Sequence, residues 1–276
     1  MSAMARQPEA PGELLRFWRR HRRLSQMDLS LEANVSAKHL SFVETGRARA
    51  SRQLLVHLAD RLQIPLRERN RLMLAAGFAP HYQELAFDDR ALRPLHTALD
   101  GLLAMHQPSP ALVVDAQWQL VAHNDAARLL WDGIDPALLA PPINVLRLAC
   151  HPGGLPSIST ITPICSGTLL DRVRRQARDD ADAALLALVD EMDGYLSAAG
   201  ARGDEKGGWT GDGVTAGFGL RTALGEVRLF TIIATLGSPL EVNAGSLAIE
   251  TFLPADAESA ERLRRLADPG AVAPLT

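Results

Sequence analysis

Residues 25–46 have the sequence SQMDLSLEANVSAKHLSFVETG. Asp28 follows Ser25 at the spacing of a capping box, in which each side chain bonds the other residue's backbone N–H, so a helix is predicted to begin here. Asn34 tolerates the left-handed backbone conformation that a sharp turn between helices requires. Ser36 is a favourable N-cap for the next helix. The segment therefore predicts two short helices joined by a tight turn, the arrangement of a helix-turn-helix.

Apolar residues at helical spacing predict three further helices around this pair, at residues 12–22, 51–62 and 65–76. In the second helix of the turn, Leu40 and Val43 are expected to face the core. The opposite face then carries Ala37, Lys38, Ser41 and Phe42. We therefore expect residues 1–77 to form an all-α domain of five helices that exposes this face of its third helix.

Charge is distributed unevenly along the 276 residues. Residues 1–76 hold 14 Lys and Arg against 7 Asp and Glu, a formal charge of +7. Residues 77–276 hold 15 against 25, a formal charge of −10. A basic first quarter is suited to binding phosphates, whereas the acidic remainder would repel them. Contact with double-stranded DNA is therefore expected only from the N-terminal domain.

The turn and its two helices resemble the helix-turn-helix of phage repressors and of the xenobiotic-response-element family. The matching positions are Ser25-Gln26, Leu29, Asn34-Val35-Ser36, Leu40 and Val43-Glu44-Thr45-Gly46. The resemblance implies that the second helix enters the major groove of DNA. It implies DNA contacts from Gln26, Ser36, Ala37, Lys38, Ser41, Phe42, Arg47 and Arg49. It also implies a structural ion pair between Arg19 and Glu44.

The contacts that the resemblance implies differ in kind. Gln26 matches a position that anchors to a phosphate, and Arg47 and Arg49 suit phosphates as well. Lys38 can reach guanine acceptors, and Phe42 can pack on a thymine methyl group. Each expectation has an alternative that remains open. The five helices can form an interaction domain with a solvated basic face instead of a DNA-binding domain. Phe42 can be partly buried against the fourth helix instead of contacting a base.

The remainder of the chain predicts a mixed α/β domain. Residues 78–107 are expected to form a linker and a connecting helix. Two short β-rich runs, at residues 111–115 and 118–122, precede a helix that Asn124 caps, an order typical of the start of PAS domains. Central amphipathic helices and late strands follow. We therefore expect residues 108–276 to form a PAS-like domain with a mainly antiparallel sheet.

Several motifs of this region resemble the MmyB-like group of transcription regulators. They are PALVVD (110–115), NVLRL (144–148), HPGGL (151–155), LGE (224–226), GSPLEV (237–242) and IETFLPAD (249–256). The segment LSFVETGR (40–47) is typical of the same group. The resemblance implies a PAS-like domain that can hold a long-chain acyl ligand such as a fatty acid.

A positive group beside an apolar cavity can pair with a ligand carboxylate, and the planar fork of arginine suits that contact. Arg147 is the candidate, and the alternative is a structural salt bridge with an acidic neighbour. Asn144 is a second polar candidate or merely the cap of a helix. The candidate pocket walls, each of which can instead belong to an ordinary core, are Trp118, Val121, Leu129, Trp131, Ile143 and Leu146.

Motifs of the common hydrolase, metalloprotease and nucleotide-binding sites are missing from the sequence. Cys150 and His151 are neighbours, but adjacency does not supply the geometry of a nucleophile and its base. The spacing of His123, His151 and Cys165 matches no known metal site. We therefore expect a protein that is not an enzyme and holds no cofactor or metal, with a fatty acid as its possible ligand.

The cellular setting is inferred from what the sequence lacks. The first residues contain no apolar signal segment, and no apolar run approaches the ~18 residues that span a bilayer. Two cysteines without CxxC spacing suit a reducing compartment. We expect a cytoplasmic regulator with no membrane partner, acting as a homodimer on a near-palindromic DNA site. In the alternative, the C-terminal domain is a dimerisation or protein-interaction module with no ligand.

Overall fold

The computed structural model describes residues 10–85, 89–160, 163–198, 217–236, 241–242 and 244–267, with the backbone alone at 163–166. These residues divide into two compact units. The first holds the N-terminal helices and the short segment that contains Glu241 and Val242, and the second holds the other strands and helices. The predicted fold class, an all-α domain followed by an α/β domain with an antiparallel sheet, is confirmed.

Residues 10–85 of the first unit contain five α-helices. Their bounds are Pro11–His21 (α1), Gln26–Glu32 (α2), Ala37–Glu44 (α3), Arg52–Arg61 (α4) and Leu66–Ala75 (α5). Pro65 precedes α5 as its N-cap. Proline suits the start of a helix because its fixed φ is compatible with helix entry and its missing N–H is not needed there.

Local contacts build the helix-turn-helix as the sequence predicts. The hydroxyl of Ser25 accepts the N–H of Asp28 at 3.1 Å, and the Asp28 carboxylate accepts the N–H of Ser25 at 2.8 Å. Asn34 has the left-handed φ of 51° in the turn. The hydroxyl of Ser36 then accepts the N–H of His39 at 3.2 Å and caps α3.

The core of the first unit is largely aliphatic. Its largest fully buried side chains are Trp18, Leu15, Leu29, Leu40, Leu55, Leu58, Leu62, Ile64, Leu72 and Met73. The helices approach closely at Gly12 of α1, where an added Cβ would lie 2.5 Å from the carbonyl oxygen of Val43 in α3. The contact between α1 and α3 therefore depends on a residue without a side chain.

The second unit combines one sheet with helices. The helices are Arg93–Met105 (α6), Val145–Cys150 (α7), Leu155–Ile158 (α8), Pro163–Asp179 (α9), Ala183–Ala198 (α10) and Ala257–Ala267 (α11). The strands are Ala111–Val114 (β1), Leu120–His123 (β2), Gly217–Thr222 (β3), Gly225–Thr235 (β4) and Ala248–Pro254 (β5). The turn of helix that Asn124 caps, Asp125–Leu130, is a 3-10 helix instead of an α-helix.

The sheet has the strand order β2-β1-β5-β4-β3, and every neighbouring pair is antiparallel. Successive residues of a strand point to opposite faces. Ala248 and Phe252 of the central strand β5 contact the main apolar cluster, to which α7, α9 and α10 contribute. Ile249 belongs to a smaller cluster on the other face, with Leu99 and Leu103 of α6. The sheet is therefore covered by helices on both faces.

Substitution by alanine is predicted to have opposite effects on stability at two glycines, Gly12 in α1 and Gly101 in α6. We expect Gly12→Ala to lower the free energy of unfolding by roughly 1–3 kcal/mol, because the added methyl group meets backbone atoms that must move. Gly101→Ala, in α6 with open space around it, should raise stability by up to ~1 kcal/mol. Calorimetry of the full chain measures both, and a Gly12→Ala protein as stable as wild type would contradict the close contact.

Candidate functional site

A buried ion pair joins the first three helices. The guanidinium of Arg19 donates to the two carboxylate oxygens of Glu44 at 2.6 and 2.9 Å, and the Glu44 side chain is fully buried. The Gln26 amide donates to Glu44 Oε2 at 2.8 Å. Burial acts to raise the pKa of Glu44, but the hydrogen bonds from Arg19 and Gln26 outweigh it and the pKa lies below its ordinary value. This is the ion pair that the resemblance implies.

The exposed face of α3 carries the residues predicted to contact bases. Lys38 is exposed, and its ammonium lies 5.7 Å from the centre of the Phe42 ring, one helical turn away. Phe42 is half-buried, as are Ala37 and Ser41. The structure therefore places these four side chains on one face of α3, with Lys38 the most accessible and Phe42 half-buried.

The residues predicted to contact phosphates flank this face. Arg47 and Arg49 are exposed beyond the C-terminus of α3, where the carbonyl of Phe42 accepts the N–H of Arg47 at 2.8 Å. Ser36 is exposed at the N-terminus. Gln26 uses one amide N–H for Glu44 and keeps a second donor. Its phosphate contact stays a prediction.

The predicted pocket walls lie in the second unit. Trp118 and Leu146 are buried in the main apolar cluster, and Leu129, Trp131 and Ile143 pack against it. Val121 packs instead against the smaller cluster with α6. It does so because neighbouring residues of β2 alternate between the two faces, and Leu120 takes the side of the main cluster. The structure thus groups five of the six predicted walls and separates Val121 from them.

Both predicted polar ligand contacts have structural partners. The buried Asn144 caps α7, since its Oδ1 accepts the N–H of Arg147 at 3.2 Å, and its Nδ2 donates to the carbonyl of Gln117 at 2.9 Å. Arg147 is exposed and donates to both oxygens of Glu191, at 3.0 and 2.8 Å. That hydrogen bonding raises the pKa of Arg147 and lowers the pKa of Glu191. These are the structural alternatives that the sequence left open, and ligand contact by Arg147 stays a prediction.

The sequence analysis missed Glu250, a buried carboxyl group in the central strand β5. Glu250 is 4% exposed, and its Oε2 has no hydrogen-bond partner. It shares its face of β5 with Ala248 and Phe252, on the side of the main apolar cluster. Burial raises its pKa to about 7, although the charge of Arg172 acts in the opposite direction. The signal that the sequence offered is that alternation along the strand places Glu250 on the same face as Phe252.

Cys150, the neighbour of His151, lies in the main apolar cluster of the second unit. The thiol of Cys150 is buried, which raises its pKa to about 12 and disfavours the nucleophilic thiolate. No group of three or more metal-ligating side chains occurs in the part of the chain that the structure describes. Among those same residues, no helix is both long and apolar enough to cross a bilayer.

The raised pKa of Glu250 predicts a pH-dependent stability. The folded protein binds this proton more tightly than the unfolded chain, whose pKa is the ordinary 4.5. The free energy of unfolding should therefore fall as the pH rises from below this value to above 7, by up to roughly 3 kcal/mol. Glu250→Gln should remove that part of the decline, as measured by urea unfolding between about pH 5 and about pH 8.

The exposed Glu261 of α11 provides the matched control, because Glu261→Gln makes the same chemical change at the surface. That variant should keep the wild-type decline. An identical pH dependence in wild type and Glu250→Gln would show that Glu250 is ionised in the folded protein.

A protein-family model matches most of the second unit. Residues 95–266 match the model of the MmyB-like transcription regulator ligand binding domain. No curated protein shows a significant match to the chain. The family match spans more than half of the 276 residues and includes all five strands and the helices around them. The chain therefore belongs to the family of MmyB-like transcription regulators that carry this ligand-binding domain.

Proposed function

We propose that the protein is a sequence-specific DNA-binding transcription regulator whose C-terminal domain senses a small apolar ligand such as a fatty acid. The observation that carries the proposal is the capped helix-turn-helix of α2 and α3, which precedes a ligand-binding domain of a regulator family. The ion pair of Arg19 and Glu44 supports it by holding α3 with Lys38 in solvent.

In the proposed complex, α3 lies in the major groove of double-stranded DNA. Lys38 donates to guanine acceptors, and Phe42 contacts a thymine methyl group beside Ala37 and Ser41. Gln26, Ser36, Arg47 and Arg49 contact phosphates on either side and set the position of the helix. A homodimer then binds two half-sites about 10 base pairs apart, or a multiple of that distance.

The second unit supplies regulation in this proposal and performs no catalysis. An apolar ligand held near Trp118 and Leu146 changes DNA affinity only if it binds two conformations of the protein with different affinities. Mass spectrometry of a solvent extract of the natively purified chain tests ligand binding. A stoichiometric apolar molecule supports sensing. An empty extract, together with DNA affinity unaffected by added apolar acids, would favour the dimerisation module.

The DNA-binding role predicts distinct effects for two basic residues. After selection of a preferred site from random duplexes, Lys38→Ala should weaken binding to that site by roughly 1–3 kcal/mol and change nonspecific binding little. Arg49→Ala should weaken both and reduce the slope of log K against log salt by about 1. Titrations by fluorescence anisotropy at several salt concentrations measure these effects.

Arg128→Ala is the matched control, because it removes one exposed arginine from the second unit. It should leave DNA binding unchanged. A Lys38→Ala protein that loses affinity for all duplexes equally would make Lys38 a phosphate contact. Failure of the wild-type chain to enrich any sequence would overturn the proposal of specific DNA binding.

A further inference from the structure

Glu250 lies at a position of the sheet where neighbouring side chains cannot satisfy a carboxylate. Leu112 of β1 and Ile233 of β4 are its direct cross-strand partners, and Ala248 and Phe252 are its neighbours along β5. All four side chains are apolar. A buried carboxyl group without a partner is unfavourable by the full cost of removing it from water. Such a group is uncommon in a stable core and requires an explanation, of which contact with a bound molecule is one.

Most charged groups of the neighbouring strands and of α11 have partners other than Glu250. Strand β1 contains no titratable residue. On β4, Arg228 pairs with Asp256, and Glu226, seven residues before Ile233, accepts the hydroxyl of Thr160 at 3.0 Å. The exposed acidic residues of α11, Glu258 and Glu261, pair with arginines of their own helix. Arg172 of α9 is the group whose charge acts on Glu250.

Arg172 is itself suited to bind an anion. Arg172 is exposed on α9, and its guanidinium makes no ion pair within the residues that the structure describes. By contrast, Arg174, two residues later in α9, pairs with Asp171 and with Asp193. Helix α9 packs through Leu170 and Val173 on the face of the sheet that Glu250 shares, so the positive charge of Arg172 lies on the same side of the sheet as the buried carboxyl group.

We infer that Glu250 and Arg172 bind the head group of an apolar carboxylic acid, Glu250 as a protonated donor and Arg172 as the countercharge. The inference rests on the proposed ligand-sensing role and assigns the polar contact of that site to two residues. The carboxylic acid proton of Glu250 is donated to one ligand oxygen, and the guanidinium neutralises the single negative charge that the pair of carboxyl groups carries. The apolar chain of the ligand then lies against the main cluster.

The test uses the full chain, freed of bound lipid, and three probes with the same twelve-carbon tail: dodecanoate, dodecanol and dodecylamine. Calorimetric titration at submicellar concentration measures each affinity. Binding of dodecanoate should weaken roughly thirtyfold from about pH 6 to about pH 8.5, because Glu250 must keep its proton. Dodecanol binding should change less, and dodecylamine should bind most weakly of the three.

Four variants separate the two roles. Glu250→Gln keeps a neutral donor, so it should retain the affinity at about pH 6 within roughly threefold and lose the pH dependence, whereas Glu250→Leu should lose about tenfold or more. Arg172→Gln should weaken dodecanoate about tenfold and leave dodecanol unchanged. Arg175→Gln, an exposed arginine one turn along α9, is the matched control and should bind all probes as wild type does.

The outcomes distinguish this inference from the proposed function. Unchanged dodecanoate binding in Glu250→Leu, or no binding of any probe to wild type, would overturn it. So would tight binding of dodecylamine that Glu250→Gln abolishes, which would make Glu250 an ionised partner for a cationic ligand. In each of these cases DNA binding, and extraction of a ligand of another class, still test the regulator role separately. Glu250→Leu is expected to fold, since an apolar side chain replaces an unsatisfied polar one.

Discussion

The buried ion pair between Arg19 and Glu44 is the interaction on which the first unit depends. Two charges removed from water are tolerated only when hydrogen bonds replace their hydration. Glu44 receives two bonds from Arg19 and one from Gln26, and Arg19 also donates to the carbonyl of Leu24 at 2.8 Å. Because these partners come from α1, α2, α3 and the turn before α2, the pair is satisfied in one arrangement of the three helices. That arrangement leaves Lys38 in solvent.

Glu250 is also a buried carboxyl group, but its hydrogen bonding and its pKa shift are the opposite of those of Glu44. Glu44 is ionised and fully bonded, whereas Oε2 of Glu250 has no partner and burial raises the pKa of its carboxyl group. The first group specifies structure, and its pKa is lowered because arginine stabilises the charged form. The second weakens the fold at neutral pH. Proteins keep such a local cost where it serves binding or catalysis, and Glu250 lies within the region that matches a ligand-binding domain.

Local chemistry made much of the first unit predictable. The capping box of Ser25 and Asp28, the left-handed Asn34 and the N-cap Ser36 act within three or four residues, so the sequence alone locates the turn. In the second unit the same logic identified Asn144, whose cap on α7 is a contact over three residues. The pocket walls were less certain, because core and pocket lining have the same composition. The sequence shows the alternation in β2 that separates Val121 from the other predicted walls. It does not show which face of the strand meets which apolar cluster.

Contacts between distant residues of the second unit were beyond the sequence. Arg147 pairs with Glu191, 44 positions later, and nothing near Arg147 in the chain identifies that partner. The state of Glu250 likewise depends on β1 and β4, which bring Leu112 and Ile233 to its two sides. The sequence by itself therefore determined the fold class, the helix-turn-helix and the helix caps, since these follow from periodicity and from contacts between near neighbours. Only the tertiary structure decided which charged groups of the second unit find partners, because desolvation and hydrogen bonding depend on the elements that pack around each group.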